Sequence, residues 1–420
     1  MLTGLPDGTE TIDALTSPDM VKSYFAASQL LQHPVENLLL TQTRPRPSCI
    51  ISDSWFSWTH ETARKLRVPR FVFQGFGCFS WSCIHTIRSH NLHQTIVSDT
   101  DPFVVPGLPH RIEITKAQVP AAFVRSPDME EIRNNTLQTE LAADGMVVNS
   151  FEELEPEHYA KCYETATGKK AWLLGPVSLF NKNASDKADR GNEAAITSGS
   201  AWIGSIPGPP DRLCKFTAAQ LMEIGLGLEA SGKSFIWVLR KSEEDSSSEK
   251  EKWLAGKDGL EERVKGRGLV IRGWAPQILI LSHPATAAFV THCGWNSTLE
   301  GICAGLPMIS WPLSAEQFLN EKLVVQVLGI AFGMGMKAGS LPWDEKKSGG
   351  GGEEIVGREE VEKAIERLLD GGEEGEERRK RAEELGVKAR KAMEVGGSSY
   401  TNMTNLIHHV MMHQQAQEMN

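Results

Sequence analysis

No apolar run in the chain approaches the roughly 20 residues that a helix needs to cross a bilayer. The opening residues, Met1 to Asp7, lack both the basic start and the apolar stretch of a secretory signal. The expected address is therefore cytoplasmic, with no integral membrane segment. A disulfide framework is missing too. The seven cysteines are odd in number, and Cys49, Cys78, Cys83, Cys162, Cys214, Cys293 and Cys303 are scattered through mostly apolar stretches. They read as reduced buried thiols, with neither disulfide nor metal-ligand spacing. Excess positive charge is absent: a net charge of -10 argues against nucleic acid or an anionic membrane as partner. An anionic ligand must then be held by local geometry. There is also no internal repeat of fixed period.

What is present fits a globular protein of more than one core, since 420 residues exceed the usual size of a single domain. From Ser48 onward, short apolar runs alternate with helix-like stretches, the mark of an α/β fold with parallel strands. Strands are expected at Cys49 to Ser52, Arg70 to Gln74, Gly145 to Asn149 and Trp172 to Pro176, with a helix from Thr59 to Leu66. The polar stretch Asn181 to Gly199 is a candidate linker. Beyond it come a helix over Thr217 to Ala230, strands at Phe235 to Leu239 and Leu269 to Ile271, and a helix-strand-helix-strand succession from Gln277 to Trp311. Ser242 to Lys252 and Lys346 to Glu354 read as exposed loops.

The most informative stretch runs from Trp274 to Gln317. Ala287 to Thr291 reads as a strand, and a turn at Cys293-Gly294 opens a helix whose first turn holds Asn296, Ser297 and Thr298. A helix start offers unpaired backbone N–H groups and a partial positive charge, which together suit phosphate. His292, Asn296 and Ser297 can add side-chain donors at the same place. A plainer account stands beside this one. Ser297-Thr298-Leu299-Glu300 is also a capping-box pattern that would only close the helix end, Trp274 could be a core aromatic, and His292 could be a buried, hydrogen-bonded histidine.

The whole stretch, from Trp274-Ala275-Pro276-Gln277 through His292-Cys293-Gly294-Trp295-Asn296-Ser297 to Glu316-Gln317, resembles the donor-binding signature of plant family 1 UDP-dependent glycosyltransferases. Similarity extends to Asp144 to Glu155 and Phe103 to Pro109, and covers nearly the entire chain. The resemblance implies a GT-B fold: two Rossmann-like domains with parallel sheets facing a cleft. Residues 1–180 would form the acceptor-binding domain, 181–199 a linker, and 200–395 the UDP-sugar-binding domain. Residues 396–420 would be a C-terminal helix packing back on the first domain. It further implies that Trp274 stacks on uracil, that Gln277 reads the ring's edge, and that Glu300 accepts from the ribose hydroxyls. His292, Asn296 and Ser297 would hold the diphosphate, Trp295 would approach the sugar through its backbone, and Glu316 and Gln317 would bind sugar hydroxyls. The closing Gln317 favours UDP-glucose as donor. The acceptor would be a small flavonoid, phenolic or terpenoid alcohol, the chain a monomer, and no metal or other cofactor is expected.

In such enzymes a histidine near the start of the chain is the general base and an aspartate orients it. Asp53 matches the aspartate, although a strand-end turn would equally account for it. The histidine has no match, and His33, His60, His85, His90 and His93 are not assigned its part. The first domain is thus expected to be incomplete at its N-terminus, with a catalytically impaired fragment that keeps only UDP-sugar binding as the alternative function. Residues 198–213 also depart from the family pattern: the prolines and glycines of Gly199 to Leu213 are expected to prevent a central strand.

Overall fold

The computed structural model describes residues 17–42, 44–120, 129–180, 202–203, 216–239, 249–337 and 355–418, besides isolated positions before residue 17. The chain divides into two compact units, Met1–Val177 with Lys388–Asn420, and Ser178–Val387. The candidate linker 181–199 and the loop 346–354 lie outside the described residues. Of the loop expected over Ser242 to Lys252, the last part is instead helical, within Glu249–Ala255.

The first unit holds a parallel sheet of β1 (Ile50–Asp53), β2 (Arg70–Gln74), β5 (Gly145–Val148) and β6 (Lys170–Leu173), in the order β1-β2-β5-β6. A separate antiparallel pair joins β3 (Pro102–Val105) to β4 (Ile112–Thr115). All of β5 is buried, as a strand covered on both faces must be, and this is why its sequence is a short continuous apolar run. Phe71, Val147, Trp172 and Leu174 form a core with Leu406 and Val410 of the helix Ser398–Glu418. That helix is also held by polar contacts. Ser399 Oγ donates to the Gly175 carbonyl at 2.5 Å, and Asn402 Nδ2 to the Leu173 carbonyl at 3.3 Å. The stretch before β1 contributes buried Leu15, Val21 and Phe25.

The second unit is built on six parallel strands: β7 (Trp202–Ile203), β8 (Phe235–Leu239), β9 (Gly268–Arg272), β10 (Thr286–Thr291), β11 (Met308–Ser310) and β12 (Ala331–Gly333). Their order is β12-β11-β10-β7-β8-β9. Here the expectation for residues 198–213 is corrected. Trp202 and Ile203 do form a strand, and it is central: Thr286 pairs with Trp202, and Ile203 pairs with both Ala288 and Phe235. The physical reason is local. Both residues keep their backbone N–H and both are apolar, while the first proline comes only at Pro207. The prolines therefore limit the strand to two residues without removing it.

The core beneath this sheet includes Phe235, Trp237, Trp311 and Val290, with Ile224 and Leu228 from the helix Ala218–Ala230 and Val361 and Ile365 from the helix Arg358–Leu369. Thr217 caps the first of these helices by accepting from the Gln220 N–H at 3.2 Å. Gly227 is required where the two helices meet, since a Cβ there would lie 2.6 Å from Val361 Cβ. Strands β7, β8 and β9 run outward one way and β10, β11 and β12 the other, so the chain changes direction between β7 and β10. In an open parallel sheet, the carboxyl ends of the strands at such a switch point are where ligands bind.

Candidate functional site

β10 ends at Thr291 beside that switch point, and the next four residues build the centre of the site. Cys293 takes a left-handed backbone conformation, φ 63°. Its N–H donates to Thr291 Oγ1 at 3.1 Å and its carbonyl accepts from Asn320 Nδ2 at 2.8 Å. The helix Trp295–Ala304 then begins after Gly294, whose lack of a side chain leaves it without a side-chain cap. The capping-box alternative fails here. Ser297 lies inside the first turn, three residues past Gly294, the position where a cap must stand.

Of the N–H groups in that first turn, Thr298 is paired with the Gly294 carbonyl at 2.9 Å. The N–H of Trp295 meets the carboxylate of Glu316. The positive end of the helix thus already attracts one anionic group of the protein, as the helix dipole requires.

His292 is buried, with 7% of its surface exposed. Its ring edge lies over Gly294, where any Cβ would collide with Nε2. Nδ1 has no hydrogen-bond partner, an unusual state for a buried polar atom. Burial pushes the imidazole pKa down to about 4, so the ring is neutral near pH 7 and acts through hydrogen bonding rather than charge. Asn296 is exposed and Ser297 and Glu300 are half-buried.

Gln277 opens the short helix Gln277–Ser282 after β9 and reaches the same turn. Its Nε2 donates to Glu300 Oε2 at 2.7 Å and to Ser297 Oγ at 3.2 Å. One oxygen of Glu300 is thereby fixed. Trp274, on the bend after Gly273, is 66% exposed. It is not a core aromatic: its indole face is open to whatever binds beside the bend.

On the loop after β11, Glu316 is half-buried and burial pushes its carboxyl pKa up, against hydrogen bonds from its own N–H, from Trp295 and from Asn320. The amide oxygen of Gln317 accepts the N–H groups of Leu313 and Ser314 at 2.8 and 3.0 Å. This commits Gln317 Oε1 to shaping the loop and leaves Nε2 as its donor end. The structure therefore brings Gln277, Ser297 and Glu300 into direct contact, and links Trp295 with Glu316. Asn320, one helical turn past Glu316, carries no motif and goes unnoticed in the sequence. Its only signal there is an amide following the apolar pair Phe318-Leu319.

Asp53 belongs to the other unit. It ends β1, and its Oδ1 accepts the Trp55 N–H at 2.9 Å, the strand-end turn that local sequence also allowed. Burial pushes its carboxyl pKa up, opposed by that bond and by the charge of Arg70. No histidine bonds Asp53 among the described residues. Among those residues there is also no cluster of three or more His, Cys, Asp or Glu fit to hold a metal, and no helix long and apolar enough to cross a membrane.

The chain is similar to known proteins along most of its length. Residues 211–336 match the family described as UDP-glucoronosyl and UDP-glucosyl transferase. UDP-glycosyltransferase 73C6 of Arabidopsis thaliana is 44% identical over 417 residues, covering 97% of this chain and 82% of that protein. The crystal structure of Glycyrrhiza uralensis UGT73P12, complexed with glycyrrhetinic acid 3-O-monoglucuronide, superposes with a TM-score of 0.86 at 38% identity, covering 99% of this chain and 83% of that one. A transferase from Siraitia grosvenorii in complex with UDP gives a TM-score of 0.73 at 26% identity, with 92% and 88% covered. These neighbours have the GT-B fold, and the parallel α/β units described above are of that class. The expectation of a truncated chain is not borne out, since relatives match along 97% of it, and the impaired-fragment alternative loses its support with it.

Proposed function

The chain belongs to the UDP-glucoronosyl and UDP-glucosyl transferase family, and from that premise we propose that it moves glucose from UDP-glucose to a hydroxyl of a small lipophilic flavonoid, phenolic or terpenoid, as a cytoplasmic monomer. Glycosyl transfer to small acceptors follows from relatives at about 44% identity. The sugar, the acceptor class, the address and the residue roles are our own reading. The observation that carries it is the helix start after Gly294, whose N-cap residue has no side chain to close it, at the sheet's switch point beside the unpartnered Nδ1 of buried His292.

In this reading Trp274 stacks on uracil, Gln277 reads its edge, and the Glu300 carboxylate, pre-aligned by Gln277, accepts from the ribose hydroxyls. The N–H groups of Asn296 and Ser297, with His292 and the Asn296 and Ser297 side chains, take the diphosphate. Glu316 and Gln317 Nε2 face the sugar hydroxyls, and the closing Gln317 favours glucose. The acceptor oxygen attacks the anomeric carbon from the face opposite UDP. The new C–O bond forms as the bond to the β-phosphate oxygen breaks, with inversion. The acceptor's proton passes to solvent, since no histidine among the described residues bonds Asp53 to serve as its base, and UDP leaves carrying the negative charge. The helix end and the neutral His292 stabilise that charge by hydrogen bonding. They supply the electrostatic work that a divalent metal would otherwise do, so turnover should persist in a chelator.

The test is acceptor-dependent UDP release and product mass, with UDP-glucose, UDP-galactose and UDP-glucuronate offered in turn to a panel of phenolic and terpenoid alcohols. The reading expects a monoglucoside, with UDP-glucose the best donor. A better donor among the others would overturn the sugar assignment, and no acceptor-dependent release from any would overturn the function.

A further inference from the structure

The helix Gln317–Lys322 is short, and its buried side chains include Phe318, Leu319 and the amides of Gln317 and Asn320, of which Asn320 is 0% exposed. An amide so enclosed must have its hydrogen bonds met inside the protein. Asn320 Nδ2 donates to the Cys293 carbonyl at 2.8 Å and reaches Glu316 Oε1 at 3.5 Å. Both partners stand at sensitive places. Cys293 is the left-handed residue that turns the chain from His292 into the helix Trp295–Ala304. A non-glycine residue persists in that conformation only where its surroundings over-determine it. Glu316 meets the N–H of Trp295 at the start of that same helix. One buried amide group therefore touches the turn beside the candidate diphosphate site and the carboxylate of the candidate sugar site.

We infer that Asn320 is a positioning residue that fixes the sugar-side carboxylate Glu316 relative to the phosphate-side turn at Cys293. The inference deepens the donor-site reading above and rests on it. Asn320 contacts no part of the nucleotide in that reading, so its loss acts through Glu316. An aspartate in its place keeps the shape but turns an oxygen toward both the Cys293 carbonyl and the Glu316 carboxylate, replacing two attractions by two repulsions. A serine keeps a hydroxyl but is too short to span both partners.

The experiment titrates UDP and UDP-glucose separately onto the purified full chain, its Asn320→Asp and Asn320→Ser variants, Glu316→Ala, and the double variant Glu316→Ala with Asn320→Ser, with a thermal melt of each. Both single Asn320 variants should weaken UDP-glucose about 10-fold more than they weaken UDP, and Asn320→Ser should change that ratio less than about 2-fold once Glu316 is gone, because residues acting through one another are not additive. Equal weakening of both ligands, or a full additional loss in the double variant, would overturn the inference while leaving the donor site standing. Failure of both Asn320 variants to fold would make the residue one of stability alone and would overturn it as well. If the unaltered chain bound neither ligand, the donor-site reading itself would fall, and the inference with it.

Discussion

The side-chain amide of Gln277 donates to the carboxylate of Glu300 at 2.7 Å, joining the first residue of the helix after β9 to the second turn of the helix after β10. A charge-assisted bond of this kind contributes about 1.5–3 kcal/mol. If Glu300 must present its second oxygen to a ribose, that bond pre-aligns it. Gln277→Leu should therefore weaken UDP binding about 10-fold or more, measured by calorimetric titration, with helix content by circular dichroism kept. Gln277→Glu would set two carboxylates together and should weaken it further. Unchanged affinity in both variants would show that the bridge serves only the fold.

His292 should make stability depend on pH in a definite direction. Its pKa is lowered from 6.5 to about 4 by burial. Between those values the unfolded chain binds the proton and the folded chain does not, so stability rises with pH. The contribution is fully present above about pH 6.5 and is lost as pH falls toward 4, on the order of 3 kcal/mol in total. Buried carboxylates whose pKa values are raised, such as Glu140 and Glu155, pull the other way, so the test is a difference. Urea midpoints of the chain and of His292→Gln, followed from pH 7 to 4.5, should converge as the pH falls. Parallel curves would contradict the assignment.

Gly294→Ala tests the close approach of the His292 ring. The backbone at Gly294, φ -57° and ψ 141°, suits alanine, so the penalty comes only from the Cβ striking His292 Nε2. Overpacking of this kind costs about 1–3 kcal/mol. The ring must swing, and UDP affinity should fall about 10-fold or more while the helix content by circular dichroism is kept. Retained affinity would mean that the ring's position is unimportant to binding.

Leu406→Ala probes the first unit alone. Leu406 is 4% exposed in the core with Phe71, Val147, Trp172 and Leu174. Its truncation should cost about 2–5 kcal/mol of stability, read from urea unfolding. UDP affinity, which the proposed site assigns to the second unit, should stay within about 2-fold, well under the tenfold that 1.4 kcal/mol would produce. A lost affinity at full folding would contradict that division of labour.

Much of this architecture is legible in the chain because buried parallel strands must be short apolar runs: β5, β8 and β10 could hardly be anything else. β7 is not legible, because two residues make no pattern and the prolines downstream argue against a strand whose pairing is fixed only by Thr286, Ala288 and Phe235. The site divides in the same way. The turn at Cys293-Gly294 and the helix after it are local and can be read. The Ser297–Glu300 capping box was a local pattern too, yet the helix begins three residues earlier, at Trp295, directly after the left-handed turn at Cys293. The bridge from Gln277 to Glu300 and the bonds of Asn320 to Cys293 join residues 23 and 27 positions apart, and no spacing rule announces them. The exposure of Trp274 follows from no local rule, since a tryptophan in a sequence is more often interior; only the family resemblance anticipates an open ring there.

The central claim is that the turn and helix start from His292 to Ser297, flanked by Trp274 and Glu300, form the nucleotide site. Calorimetric titration of UDP onto the purified 420-residue chain, beside Trp274→Ala and Glu300→Ala, tests it most directly. The account expects saturable one-to-one binding to the unaltered chain, weakened at least about 10-fold in each variant through loss of a stacking face or of the ribose acceptor. Binding that both variants retain in full, or no binding to the unaltered chain, would contradict it.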